Sequence, residues 1–220
     1  MSTASPGADP SVRFHPPQMV RVPAGDELAV FWLGRTPVTN LEFAPFLASG
    51  RVPEPPWWRD PDFCAPGQPV VGVTWQEASG YCEWLCEIAQ GRWRLPSEEE
   101  WEFAACGGLG APRTAWGEAI PPGEIPEGAL AGPWEAGRGT PNGFGLCDMG
   151  TIVHEWCDNW AQAPASPRRR ASRGGSWRHQ IRWSSPSSRS SLPPEYRYSD
   201  YGFRVLREAA GAAPPGEVTL

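Results

Sequence analysis

Three helix starts of the Ser/Thr-x-x-Glu kind crowd into residues 39–100, and after Gly108 no helical period survives. That asymmetry constrains the fold most. In a capping box the hydroxyl accepts from the third backbone N–H while the Glu reaches back, so both satisfy donors a helix start leaves bare. Thr39 with Glu42 predicts a helix ending at Gly50, with Pro45 removing one bond from its middle. Thr74 with Glu77 predicts a second helix over Trp75 to Gln90, stopped by Gly91. Its apolar stripe is Ala78, Tyr81, Cys82, Leu85, Cys86 and Ala89, at steps of three and four. Ser97 with Glu100 predicts a third, stopped at Gly107-Gly108. Short strands are expected at Met19 to Val22 and Ala29 to Trp32, and later at Ile152 to Asp158, Ala171 to Trp177 and Gly202 to Arg207. Strands, then helices, then an irregular region closed by strands is an α+β order.

The long irregular region needs something to hold it. The chain carries 13 Trp, 27 Pro and 25 Gly, which suits loops pinned by large aromatic side chains. Its 220 residues suit one domain over 13–208, with disordered Ser/Pro/Gly/Ala-rich tails at 1–12 and 209–220. All 19 basic residues are Arg, which excludes Schiff-base chemistry and Lys-dependent phosphate loops. A net charge of −6 argues against nucleic-acid partners, and Arg168-Arg169-Arg170 reads as a solvated loop. No segment is long and apolar enough to span a membrane, and the N-terminus lacks the basic and apolar regions of a secretory signal. A cytoplasmic location is therefore expected, with Cys64, Cys82, Cys86, Cys106, Cys147 and Cys157 as reduced thiols. Cys82, Cys86, Cys147 and Cys157 read as small core residues.

Several strings then occur in a telling order. They are Pro37-Val38-Thr39-Asn40, Pro69 to Trp75, Arg94-Leu95-Pro96-Ser97-Glu98-Glu99-Glu100-Trp101, Asn142 to Trp160, Arg173-Gly174-Gly175-Ser176-Trp177 and Gly202-Phe203-Arg204. Together they resemble the formylglycine-generating enzyme (sulfatase-modifying factor) family over about residues 18 to 207. The resemblance implies a C-type-lectin-like fold, with a small twisted antiparallel sheet, two to three helices and extensive ordered loops. Within it Trp75 and Trp101 are expected as buried anchors and Arg94 as a partner of Glu102.

The chain also departs from the family. Formylglycine generators use two thiols after the Arg-Gly-Gly-Ser string to bind copper, and soft thiolates suit Cu(I). Here His179 and Ser184 occupy those positions, which argues against copper and against formylglycine generation. Ile152 stands where the family has an Asn that helps hold calcium, leaving at most a weak site through backbone carbonyls and Glu155.

Two site readings remain open. His154, Glu155 and His179 form a candidate metal set, because His and carboxylate suit Zn or Fe. Trp177, Arg178, His179, Arg182, Trp183 and Arg197 form a candidate ligand set, since Arg forks recognise carboxylates and aromatic rings supply a rigid wall. Arg189 and Arg204 read as structural. The expectation is a divergent family member that binds a peptide or small acidic ligand, with a protein partner as a further option. The alternatives are a metal-dependent oxidoreductase acting with a partner subunit, and a retroelement-type display protein.

Overall fold

The computed structural model describes residues 13–25, 27–122, 124, 130–161, 168–179 and 184–209. Three capping boxes start its three described helices, α1 (Asn40–Ala48), α2 (Trp75–Ile88) and α3 (Glu98–Cys106). In each, the Thr or Ser hydroxyl accepts from the third backbone N–H and the Glu returns to the cap. α1 runs through Pro45. The carbonyl that Pro45 leaves without its helical donor is that of Leu41, which is exposed. α3 ends at Gly107 in the left-handed region, φ 61°, which glycine enters without a Cβ penalty.

The strands are β1 (Met19–Val22), β2 (Phe31–Gly34), β3 (Trp93–Arg94), β4 (His154–Trp160), β5 (Arg170–Arg173), β6 (Arg189–Leu192), β7 (Tyr201–Gly202) and β8 (Leu206–Glu208). They form two four-stranded sheets, ordered β1-β2-β8-β3 and β6-β5-β4-β7. All described pairs are antiparallel except β4 with β7, which run parallel. The α+β class and the C-type-lectin-like fold hold. β3 and β6 have no counterpart in the sequence reading, and β4 begins two residues later than expected.

One core layer gathers α1, α2 and the β7–β8 connection, where Phe43, Phe46, Tyr81, Trp84 and Phe203 make a continuous aromatic cluster. A second gathers Leu33, Trp101, Ala104, Leu146 and Met149 between α3 and the strands. Burying such rings supplies about 1.5–3 kcal/mol each for the larger apolar side chains, and the loops close over them. Trp101 is fully buried as expected, whereas Trp75 is half-buried. Its indole donates to the Cys157 carbonyl at 2.9 Å, and Arg170 lies 3.6 Å over its ring.

Three expectations are corrected here. Cys86 is exposed and exchanges hydrogen bonds with the backbone of Trp93, so the α2 stripe is narrower than its spacing implied. Arg94 pairs with Glu100 and Glu208, while Glu102 takes Arg173 instead. The Arg168–Arg170 run is not simply solvated: Arg169 donates to the Ser191 carbonyl, and Arg170 opens β5 between the rings of Trp75 and Trp160. The tails expected at 1–12 and 209–220 lie outside the described residues, Ala209 excepted. Among the described residues no helix is long and apolar enough to cross a membrane.

Candidate functional site

The second sheet brings three chain segments to one end. β4 begins there with His154, β7 begins beside it with Tyr201 opposite His154, and β5 ends there with Arg173 opposite Glu155. Past β5 the Arg-Gly-Gly-Ser string turns the chain back over the sheet. Gly175 donates to the Gly150 carbonyl, Trp177 to that of Ile152, and His179 to that of Ser176. The turn requires glycine at 174: φ is 76°, and an added Cβ would stand 2.6 Å from the Cα of Gly150 and 3.3 Å from the Trp101 ring.

Adjacent residues on a strand face opposite sides, and β4 divides its chemistry accordingly. Glu155 points into the core. Both its oxygens accept from Arg204, at 2.7 and 2.8 Å, and the Trp101 indole adds a bond of 2.7 Å. Arg204 also donates to the carbonyls of Gly34, Arg35 and Cys147, so it ties β2 to β4. His154 points the other way, into a cleft of about 440 Å³ lined by Arg178, His179, Ser190, Leu192, Tyr198, Asp200 and Tyr201. The metal set expected at His154, Glu155 and His179 is therefore not assembled. His154 and His179 do meet, and Asp200 takes the third place, their ligand atoms all lying within 4.8 Å of one another.

The His154 ring is held on two sides. Its Nδ1 lies 2.7 Å from the Gly174 carbonyl, and its Nε2 lies 3.2 Å from His179 Nδ1. A carbonyl only accepts, so Nδ1 carries the proton and Nε2 presents a lone pair to the cleft. Burial holds this imidazole below the ordinary His value; His179 reinforces the shift and Asp200 opposes it. Asp200 is buried and accepts from the Ser176 hydroxyl at 2.9 Å. Tyr201 stacks on His154 at 4.8 Å, with its own hydroxyl 2.8 Å from that of Ser190.

The expected ligand set divides. Arg178 and His179 are exposed and line the cleft. Trp177 is partly buried against Phe63 and donates to the Ser199 carbonyl, so it supports the turn. Arg197 pairs with Glu77 and donates to the Gly72 carbonyl at 2.8 Å, which locks the 193–200 loop to the start of α2; it is not free for a ligand. Arg182 and Trp183 lie outside the described residues. Asp200, Tyr198 and Tyr201 are the cleft residues the ligand reading omitted. Tyr198 and Tyr201 stand in the aromatic, Arg-rich segment that signalled the site, whereas Asp200 had no signal of its own. Arg204 is structural as expected, and Arg189 is exposed, 3.6 Å from Glu102.

The groups the family resemblance implies do not fit these residues. No described cleft residue is a thiol, and Cys147 and Cys157 are buried elsewhere, with burial raising both thiols above the ordinary value. A copper dithiolate thus has no ligands here. The Glu155 oxygens are committed to Arg204 and Trp101, and Ile152 is fully buried, so the calcium ligands are lacking as well.

Comparison with known proteins agrees with the architecture. The profile of the sulfatase-modifying factor enzyme 1-like domain matches residues 8–209. A serine/threonine-protein kinase pkn1 of Chlamydia pneumoniae is 39% identical over 159 residues, covering 63% of this chain but only 24% of its own length. A formylglycine-generating enzyme of Streptomyces coelicolor is 28% identical, covering 83% of this chain and 79% of its own. The inactive C-alpha-formylglycine-generating enzyme 2 of Bos taurus is 35% identical, covering 74% and 59%. Among solved structures, PvdO from Pseudomonas aeruginosa superposes with a TM-score of 0.68 at 23% identity, over 88% of this chain and 92% of its own. Treponema denticola variable protein 1 gives 0.70 at 19%, over 90% and 94%.

Proposed function

From the premise that this chain belongs to the sulfatase-modifying factor family, we propose that it is a binding member of that family and not a formylglycine generator. Its ligand is a peptide or small molecule bearing a carboxylate, held in the cleft at the end of the second sheet. The observation that carries this reading is the lining of that cleft. Exposed Arg178 stands at its rim, and among the described residues no carboxylate pairs with it. Tyr198, Tyr201 and Leu192 supply the apolar walls. A guanidinium that is not spent on an internal ion pair is the group best suited to fork a carboxylate, and rigid rings beside it orient the rest of the ligand. The inactive relative shows that the fold occurs in proteins named as lacking the family reaction.

Calorimetry with a panel of short peptides and dicarboxylates tests the reading. A hit should lose about tenfold in affinity in Arg178→Ala, the usual value of one charge-assisted contact. The melting temperature should stay unchanged, because Arg178 is exposed. Equal affinity in the variant would remove the reading's support. In parallel, a Cys-x-Pro-x-Arg peptide incubated with Cu(I) and oxygen should keep its thiol mass, because His179 and Ser184 offer no thiolate. Catalytic conversion would overturn the noncatalytic assignment.

A further inference from the structure

We propose that His154, His179 and Asp200 hold one divalent first-row transition-metal ion on the floor of the cleft. Only three His occur in the whole chain, and two of them converge here from β4 and from the turn after β5. The carboxylate arrives from a third segment, just ahead of β7. Two imidazoles and one carboxylate, with the remaining positions open to a cleft, are a donor set for Zn or Fe(II); Ca and Mg want oxygen ligands and Cu(I) wants sulfur.

The surroundings of the three residues favour ligation over an ordinary His–His hydrogen bond. Metal-bound His residues characteristically donate their second N–H to a carbonyl or carboxylate, which fixes the tautomer and aims the lone pair. His154 does this through Nδ1 to Gly174, in a turn whose backbone only glycine accommodates. Ligating carboxylates are themselves hydrogen-bonded, as Asp200 is by the Ser176 hydroxyl. The facing His nitrogens stand 3.2 Å apart. Two ligands at the usual ~2.0–2.1 Å from a tetrahedral ion stand roughly 3.3 Å apart. All three ligand atoms lie within 4.8 Å of one another, and His179, being exposed, can adjust its ring toward the ion.

The proposal is independent of the acidic-ligand reading, because metal retention is measured on the protein alone. The tag-free protein is stripped with chelator, dialysed against Zn(II) or Co(II), and analysed by mass spectrometry for metal per chain. One ion per chain is expected, with Co(II) absorption bands of nitrogen and oxygen ligation and no thiolate charge-transfer band. His179→Ala removes an exposed ligand without disturbing the core, and it should weaken binding about a hundredfold or more, beyond the 10–100-fold typical of lost outer-shell partners. Asp200→Asn should weaken it in the same direction, with circular dichroism confirming that the variant folds. One equivalent of Zn(II) should raise the melting temperature of the parent protein and not that of His179→Ala. No stoichiometric uptake by the parent, or equal affinity in His179→Ala, would overturn the site. Failure here leaves the Arg178 experiment standing, and failure of the Arg178 experiment leaves the metal standing.

Discussion

Arg204→Met should be among the most damaging single substitutions in this protein. Arg204 and Glu155 are both fully buried and joined by two charge-assisted bonds of 2.7 and 2.8 Å. Methionine keeps the apolar stem but leaves the Glu155 carboxylate in the core with, among the described residues, only the Trp101 indole as a donor. Stranding one member of a buried pair costs about 3–5 kcal/mol. The carbonyls of Gly34, Arg35 and Cys147 also lose their donor, which keeps the loss from falling below that range. For a chain of this length each kcal/mol moves the melting temperature by about 2–4 °C, so a fall of about 6–20 °C is expected. Urea unfolding followed by tryptophan fluorescence measures the loss in free energy. A second substitution separates stranded charge from lost packing. Glu155→Gln on the Arg204→Met background neutralises the carboxylate, so the double variant should be more stable than Arg204→Met alone. A loss below about 1 kcal/mol, or a double variant no better than the single, would refute the reasoning.

The two helix-start tryptophans should differ. Trp101→Ala is expected to cost about 3–5 kcal/mol, the loss for a fully buried ring, and half-buried Trp75→Ala about 1–3, as read from denaturation midpoints. Acidification should destabilise the metal-free fold through His154. Its folded value lies below the ordinary 6.5, so below that pH the unfolded chain takes up a proton the folded chain refuses. Stability present above about 6.5 is then lost as pH falls toward the depressed folded value, and urea midpoints at about pH 7.5 and 5.5 should show a smaller drop in His154→Phe. Burial raises Glu42 and Asp148, whose acid-side slopes have the opposite sign, but both slopes are common to the two proteins.

The helices were legible because their signals are local. A hydroxyl three residues ahead of a Glu and an apolar stripe at helical spacing require no knowledge of the rest of the chain, and all three described helices start where those signals fall. β3 and β6 were not legible. A two-residue strand has no period, and Arg189–Leu192 reads as a polar loop. His154 and His179 stood out by chemical type alone. Their third neighbour did not, because Asp200 reaches His154 through the parallel β4–β7 pairing, and nothing in linear spacing encodes which strand lies beside which. Glu155 was misplaced for the complementary reason: sequence adjacency to His154 is, on a strand, a guarantee of facing the opposite side.

Two departures from the expected arginine roles, at Arg94 and Arg197, share one cause. From sequence, Glu77 and Glu100 are read as capping residues, Arg197 as a ligand residue and Arg94 as a partner of Glu102. A carboxylate has about four acceptor positions, and the cap uses only part of them. In the structure Glu77 serves the Thr74 cap and Arg197 together, and Glu100 serves the Ser97 cap and Arg94 together. Glu42, the third capping glutamate, takes no Arg among the described ion pairs, and its carboxyl is raised by burial. Each recruited Arg thus fastens a loop or strand to a helix start: Arg197 carries the 193–200 loop, which ends at Asp200, and Arg94 carries β3. Among the arginines expected at the ligand site, Arg182 lies outside the described residues and Arg197 is spent on Glu77, whereas Arg178, which lines the cleft, has no described ion pair. Its candidacy therefore rests on what the capping glutamates have already consumed, a distinction that residue type alone could not make.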